Sequence, residues 1–100
     1  MSEIILLGLN HKTAPVEIRE RLAVSKEEAF AMLDAIKKSA SVNEVVLFST
    51  CNRVEILMAA VDKADAVETA KRHLSECKNV PLSQFQDSIY VHEGDEAIRH

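Results

Sequence analysis

The stretch that decides the fold is Val45-Val46-Leu47-Phe48-Ser49-Thr50-Cys51-Asn52-Arg53-Val54-Glu55-Ile56-Leu57-Met58. Residues 45–48 form a run of strand-forming side chains, and residues 54–61 form a second, longer run. The linker of about five polar residues is too short for a crossover helix, so the two strands must form an antiparallel hairpin.

Working upstream, residues 4–9 are almost continuously apolar, the pattern of a strand covered on both faces. A polar stretch from Asn10 to Pro15 follows, and Pro15 can open a short helix through residue 20. Ser25-Lys26-Glu27-Glu28 is a capping box, followed by Ala29, Met32, Leu33, Ile36 and Ala40 at helical spacing.

Downstream of the hairpin, Asp62 and Asp65 start another helix, with Val67, Ala70, Leu74 and Cys77 along one face. A turn of helix is expected at residues 83–86, after Pro81, and a brief strand at residues 89–91. Gly94-Asp95 then caps a helix that reaches His100 after about a turn and a half, which reads as a boundary inside a longer protein. The order βαββαβ predicts an α+β, ferredoxin-like domain, an antiparallel sheet with its helices packed on one face. That architecture serves many functions and settles none.

Apolar residues make up 47% of the chain and aromatics only 4%, so the core must be aliphatic. The formal net charge of −4 argues against a domain that grips nucleic acid through its own surface. No apolar stretch approaches the roughly 20 residues needed to span a bilayer. The N-terminus lacks the basic leader of a signal or transit peptide. The two cysteines are far apart and outside any C-x-x-C pair, so a disulfide framework or zinc ribbon is not expected. A cytoplasmic domain with reduced thiols and no metal site is the expectation.

The hairpin tip carries the candidate chemistry. Cys51 there should be accessible and held by the strands on either side. Arg53 could favour the thiolate or grip a carboxylate in a bidentate fork. Thr50 and Asn52 could orient an ester or amino group. Read from the residues alone, Cys51 is either a nucleophile or a small apolar side chain tucked under the turn. Cys77, on the apolar stripe of its helix, should be buried and inert. His73, four residues before Cys77, lacks the further ligands a metal would need. His11, His92 and His100 could each move a proton near neutral pH, and sequence position does not choose among them.

Gly8-Leu9-Asn10-His11-Lys12-Thr13-Ala14-Pro15-Val16, followed by Arg19-Glu20-Arg21, resembles the opening signature of glutamyl-tRNA reductases. Ser49-Thr50-Cys51-Asn52-Arg53-Val54-Glu55 is similar to their catalytic motif. Tyr90-Val91-His92 with Asp95-Glu96-Ala97-Ile98-Arg99-His100 is similar to the segment that follows. The resemblance runs from the first strand to the last residue. It departs from the family at Ile56-Leu57, where many members carry a tyrosine.

The resemblance implies an NADPH-dependent reductase that converts glutamyl-tRNA(Glu) to glutamate-1-semialdehyde through a cysteine thioester, the first step of tetrapyrrole synthesis. It implies Cys51 as nucleophile and His100 as the histidine needed for activity. Thr50, Asn52 and Arg53 would line the glutamate pocket, Arg53 taking the carboxylate. Residues 1–100 would be the N-terminal catalytic, glutamate-binding domain. The NADPH-binding domain and a helical dimerisation domain, which makes the protein a homodimer, would lie elsewhere. The chain has no G-x-G-x-x-G, so no dinucleotide site is expected within it.

Two rivals share the fold class. An RNA-recognition module would need aromatics on its central strands, and residues 4–9 and 54–61 contain none. A non-catalytic regulatory domain could bind an amino acid through Arg53, leaving Cys51 incidental.

Overall fold

Strands β2 (Val42–Ser49) and β3 (Arg53–Ala60) form the expected antiparallel hairpin, with Leu47 opposite Ile56 and Ser49 opposite Val54. The structure is a computed structural model that describes residues 2–50 and 52–99. Strand β1 (Glu3–Asn10) pairs antiparallel with β3 on one side and with β4 (Tyr90–Glu93) on the other. The sheet order is therefore β2-β3-β1-β4, the ferredoxin-like arrangement.

The crossover from β1 to β2 contains helices α1 (Val16–Leu22) and α2 (Lys26–Lys37), and the crossover from β3 to β4 contains α3 (Lys63–Lys78). Both long helices start where the sequence signals them. Ser25 accepts from the Glu28 N–H at 3.1 Å while Glu28 accepts from the Ser25 N–H at 2.9 Å, completing the capping box. Asp62 accepts from the Asp65 N–H at 3.2 Å. Helix α3 ends at Asn79, whose left-handed backbone (φ 53°) closes the last turn.

The core lies between one sheet face and these helices. Ile5, Leu7 and Leu9 of β1 and Val54, Ile56 and Met58 of β3 meet Leu22, Met32, Ile36, Ala70 and Leu74. Each fully buried side chain of this size contributes about 1.5–3 kcal/mol. After α3, two 3-10 turns, Leu82–Gln84 and Gln86–Ser88, seat the buried Phe85 in the same core. Strand β1 is buried on both faces from Ile5 to Asn10, as its continuous apolar run requires.

Several details depart from the sequence reading. Helix α2 ends at Lys37, so Ala40 lies beyond it and is exposed. The last strand begins at Tyr90 and runs to Glu93. Cys77 is half-buried at the edge of the core, because the seam between α2 and α3 opens there into a shallow hollow lined by Met32, Ala35 and His73. Among the described residues no helix is long and apolar enough to cross a membrane.

Candidate functional site

Residues alternate across a strand, so with Val54, Ile56 and Met58 in the core, Arg53, Glu55 and Leu57 face the other side of the sheet. The register places Arg53 opposite Asn10 and Glu55 opposite Gly8, and Gly8 in turn opposite Tyr90. Phe48 flanks Glu55 on β2. One row across the open face thus reads Phe48, Glu55, Gly8, Tyr90, and the next row toward the hairpin tip joins Arg53 to Asn10.

Glu55 is a carboxylate only 5% exposed, and a buried charge needs partners. Tyr90 donates its O–H to Glu55 Oε2, and Arg53 Nη1 lies 3.4 Å from Glu55 Oε1. The Glu55 side chain reaches β4 by passing over Gly8. A Cβ at position 8 would stand 2.8 Å from Glu55 Cγ and 2.6 Å from the Val54 carbonyl oxygen. Burial first, and then the hydrogen bond to Glu55, push the Tyr90 phenol well above its usual range, so it stays a donor. Arg53 and a hydrogen bond from the Asn10 side chain pull the other way.

Asn10 also orders the loop beyond β1. Its Oδ1 accepts from the Lys12 and Thr13 N–H groups at 2.9 and 3.2 Å, and its own N–H donates to Thr13 Oγ1 at 2.9 Å. Arg19 folds back from α1, donating from Nε to the Ala14 carbonyl at 3.3 Å. The loop is thereby fixed beside the hairpin tip. At the tip, the Thr50 N–H donates to the Arg53 carbonyl at 2.8 Å, and Thr50 Oγ1 accepts from the Asn52 N–H at 3.2 Å.

Of the residues expected to form the site, Thr50, Asn52 and Arg53 come together at this exposed tip, the Arg53 side chain 43% exposed. Cys51 and His100, expected as nucleophile and catalytic histidine, lie outside the described residues. His11 is exposed in the Asn10 loop. His92 stands on the open face with its ring 5.2 Å from that of Tyr90, and its Nδ1 is 3.8 Å from Glu96 of helix α4 (Asp95–Arg99). Glu55, Gly8, Asn10 and Tyr90 were not singled out from the sequence. A glutamate between core-facing neighbours and a glycine inside a strand were the available signals.

Residues 8–16 and 49–55 therefore meet at the hairpin-tip end of the sheet, where Tyr90 joins them from β4, whereas helix α4 starts at the opposite end, the Gly94 N–H donating to the Ile4 carbonyl at 2.9 Å. Residues 7–100 match the family model described as glutamyl-tRNA(Glu) reductase, N-terminal domain. The chain belongs to the glutamyl-tRNA reductase family. A glutamyl-tRNA reductase of Desulfatibacillum aliphaticivorans is 45% identical over 98 residues, covering 98% of this chain and 23% of that protein. One from Thermodesulfovibrio yellowstonii is 41% identical over 105 residues, covering 97% of this chain and 24% of the relative. The solved glutamyl-tRNA reductase from Methanopyrus kandleri superposes with a TM-score of 0.66 at 27% identity, covering all of this chain and 21% of that one. The chain thus spans about a quarter of the length of the curated relatives it matches.

Proposed function

We propose that this chain is the catalytic, glutamate-binding domain of an NADPH-dependent reductase that converts glutamyl-tRNA(Glu) to glutamate-1-semialdehyde, the first step of tetrapyrrole synthesis. The observation that carries this reading is the hairpin tip. Arg53 is held on one side by Glu55 and exposed on the other, next in space to Asn10 and flanked by exposed Thr50 and Asn52.

In this reading Cys51 attacks the ester carbonyl of glutamyl-tRNA. The S–C bond forms, the C–O bond to the terminal ribose breaks, and the thiol proton ends on the departing hydroxyl. An aminoacyl ester is already activated, so a thiolate needs no elaborate triad. Arg53 takes the glutamate side-chain carboxylate through its free N–H groups. Thr50 and Asn52 line the same pocket. His100 is the proton-transfer partner.

The thioester is the species that NADPH would reduce, and the described residues include no glycine-rich phosphate loop for that cofactor. The chain's two glycines lie inside β1 and before a five-residue helix, not in a strand–turn–helix phosphate loop. NADPH binding and dimerisation are accordingly assigned to other parts of a longer, cytoplasmic homodimer, of which residues 1–100 are the N-terminal domain. The net charge of −4 supports placing most tRNA phosphate contacts outside these residues as well.

Alkylation tests the reading. Cys51 should react with iodoacetamide much faster than Cys77, with an apparent pKa below the free-thiol value of about 8.5, and glutamyl-tRNA should protect it. A Cys51 as slow as Cys77 contradicts the proposal.

A further inference from the structure

We propose that Tyr90 is a positioning residue which acts through Glu55 to hold Arg53 in its carboxylate-reading pose, and so sets the preference for a glutamyl over a glutaminyl group. This rests on the reading of Arg53 as carboxylate partner.

The geometry divides the Glu55 carboxylate between two strands. Oε2 is taken by the Tyr90 O–H from β4, and Oε1 faces Arg53 Nη1 at 3.4 Å on its own strand. With its side chain 7% exposed, Glu55 has little freedom to turn, and the gap above Gly8 is the channel in which it lies. Tyr90 thereby anchors Oε2 and so orients the carboxylate that Arg53 meets at Oε1. The Asn10 side chain, opposite Arg53 in the register, is a further hydrogen-bond partner of Tyr90.

An exposed arginine loses much rotamer freedom when it clamps a ligand, and a partner that pre-orders it removes part of that loss. A guanidinium has five N–H donors, so one engaged nitrogen leaves a fork for a second carboxylate. Because Glu55 offsets the charge of Arg53, attraction for anions in general is weakened. Discrimination then rests on hydrogen-bond geometry, which a carboxylate satisfies and a side-chain amide, presenting its own N–H₂ donors, does not. Tyr90→Phe removes the O–H while keeping the ring in its half-buried place.

Two readouts on the 100-residue chain test this. The first is the NMR signal of the Arg53 Nη1 protons, which face Glu55. In the wild type their hydrogen exchange should be slow. In Tyr90→Phe, and equally in Glu55→Gln, exchange should quicken by about tenfold, the scale expected for losing a hydrogen bond to a charged group. The second is acylation of Cys51 by glutamyl and glutaminyl α-thioesters, followed by intact mass. The preference for glutamyl should fall about tenfold in Tyr90→Phe. The fall should lie in the concentration for half-maximal rate rather than in the maximal rate.

The double variant should lose no more than either single one, because both act on the same contact. An Arg53 signal unchanged in Tyr90→Phe overturns the inference, as does additive loss in the double variant. If neither thioester acylates the wild type while the Arg53 signal still depends on Tyr90, the proposed function fails and the positioning of Arg53 by Tyr90 stands.

Discussion

Tyr90 and Glu55 belong to strands that are not neighbours, and they meet because the residue between them on β1 is Gly8. The hydroxyl of one and the carboxylate of the other span a full strand of the sheet. Nothing larger than a hydrogen fits at position 8 while they do so. The contact links the end of the fold, β4, to the hairpin that presents Thr50, Asn52 and Arg53.

Gly8→Ala tests that spacing. The added methyl would stand 2.6 Å from a backbone carbonyl that cannot swing away and 2.8 Å from Glu55 Cγ. Overpacking of this kind costs about 1–3 kcal/mol. Urea denaturation should show a loss in that range, and the Tyr90 ring signals should shift as Glu55 is displaced. A variant as stable as the parent would mean that the sheet yields there without strain.

Lys78 and Glu28 tie the end of α3 to the start of α2. Lys78 Nζ lies 2.8 and 3.0 Å from the two Glu28 oxygens. That hydrogen bond first, and then the Ser25 N–H, hold the Glu28 carboxyl at about 2, against an ordinary 4.5. Since the folded value lies below the unfolded one, the interaction stabilises the fold above about pH 4.5 and fades as the pH falls toward 2. In Lys78→Met the Glu28 midpoint, followed by NMR, should rise, and the loss of Tm relative to the parent should be larger at neutral than at acid pH. A midpoint that does not move would mean the ion pair is not formed in solution.

Cys77 is a built-in control for thiol reactivity. Burial first, and then the nearby Glu28 carboxylate, push its thiol above the usual range, although Lys78 works against this. Iodoacetamide labelling of the Cys77 peptide against pH should therefore have its midpoint above that of a free thiol. Labelling at neutral pH as fast as that of a small thiol would show the α2–α3 seam to be open.

Local signals made most of the fold legible. The capping box at Ser25 and Glu28, the Asp62 start of α3 and the both-face burial of β1 are each written within a few residues, and each is found. What escaped depends on register between distant segments. The irregularity between Val42 and Glu44 in β2 has no local marker. The half-exposure of Cys77 depends on how α2 and α3 diverge, which the stripe Val67, Ala70, Leu74 does not encode. Thr50, Asn52 and Arg53 were legible because they adjoin in sequence. The roles of Glu55, Gly8 and Tyr90 were not, because only the sheet order brings residues 8, 55 and 90 into one row.

The central claim is that Cys51 forms a glutamyl thioester. The direct measurement is intact and peptide mass after incubation of the full-length protein, parent and Cys51→Ser, with glutamyl-tRNA(Glu) and without NADPH. The account predicts a gain of one glutamyl group on the Cys51 peptide, removed by hydroxylamine, and no gain in Cys51→Ser. An unmodified parent, or an adduct that persists in Cys51→Ser, would contradict it.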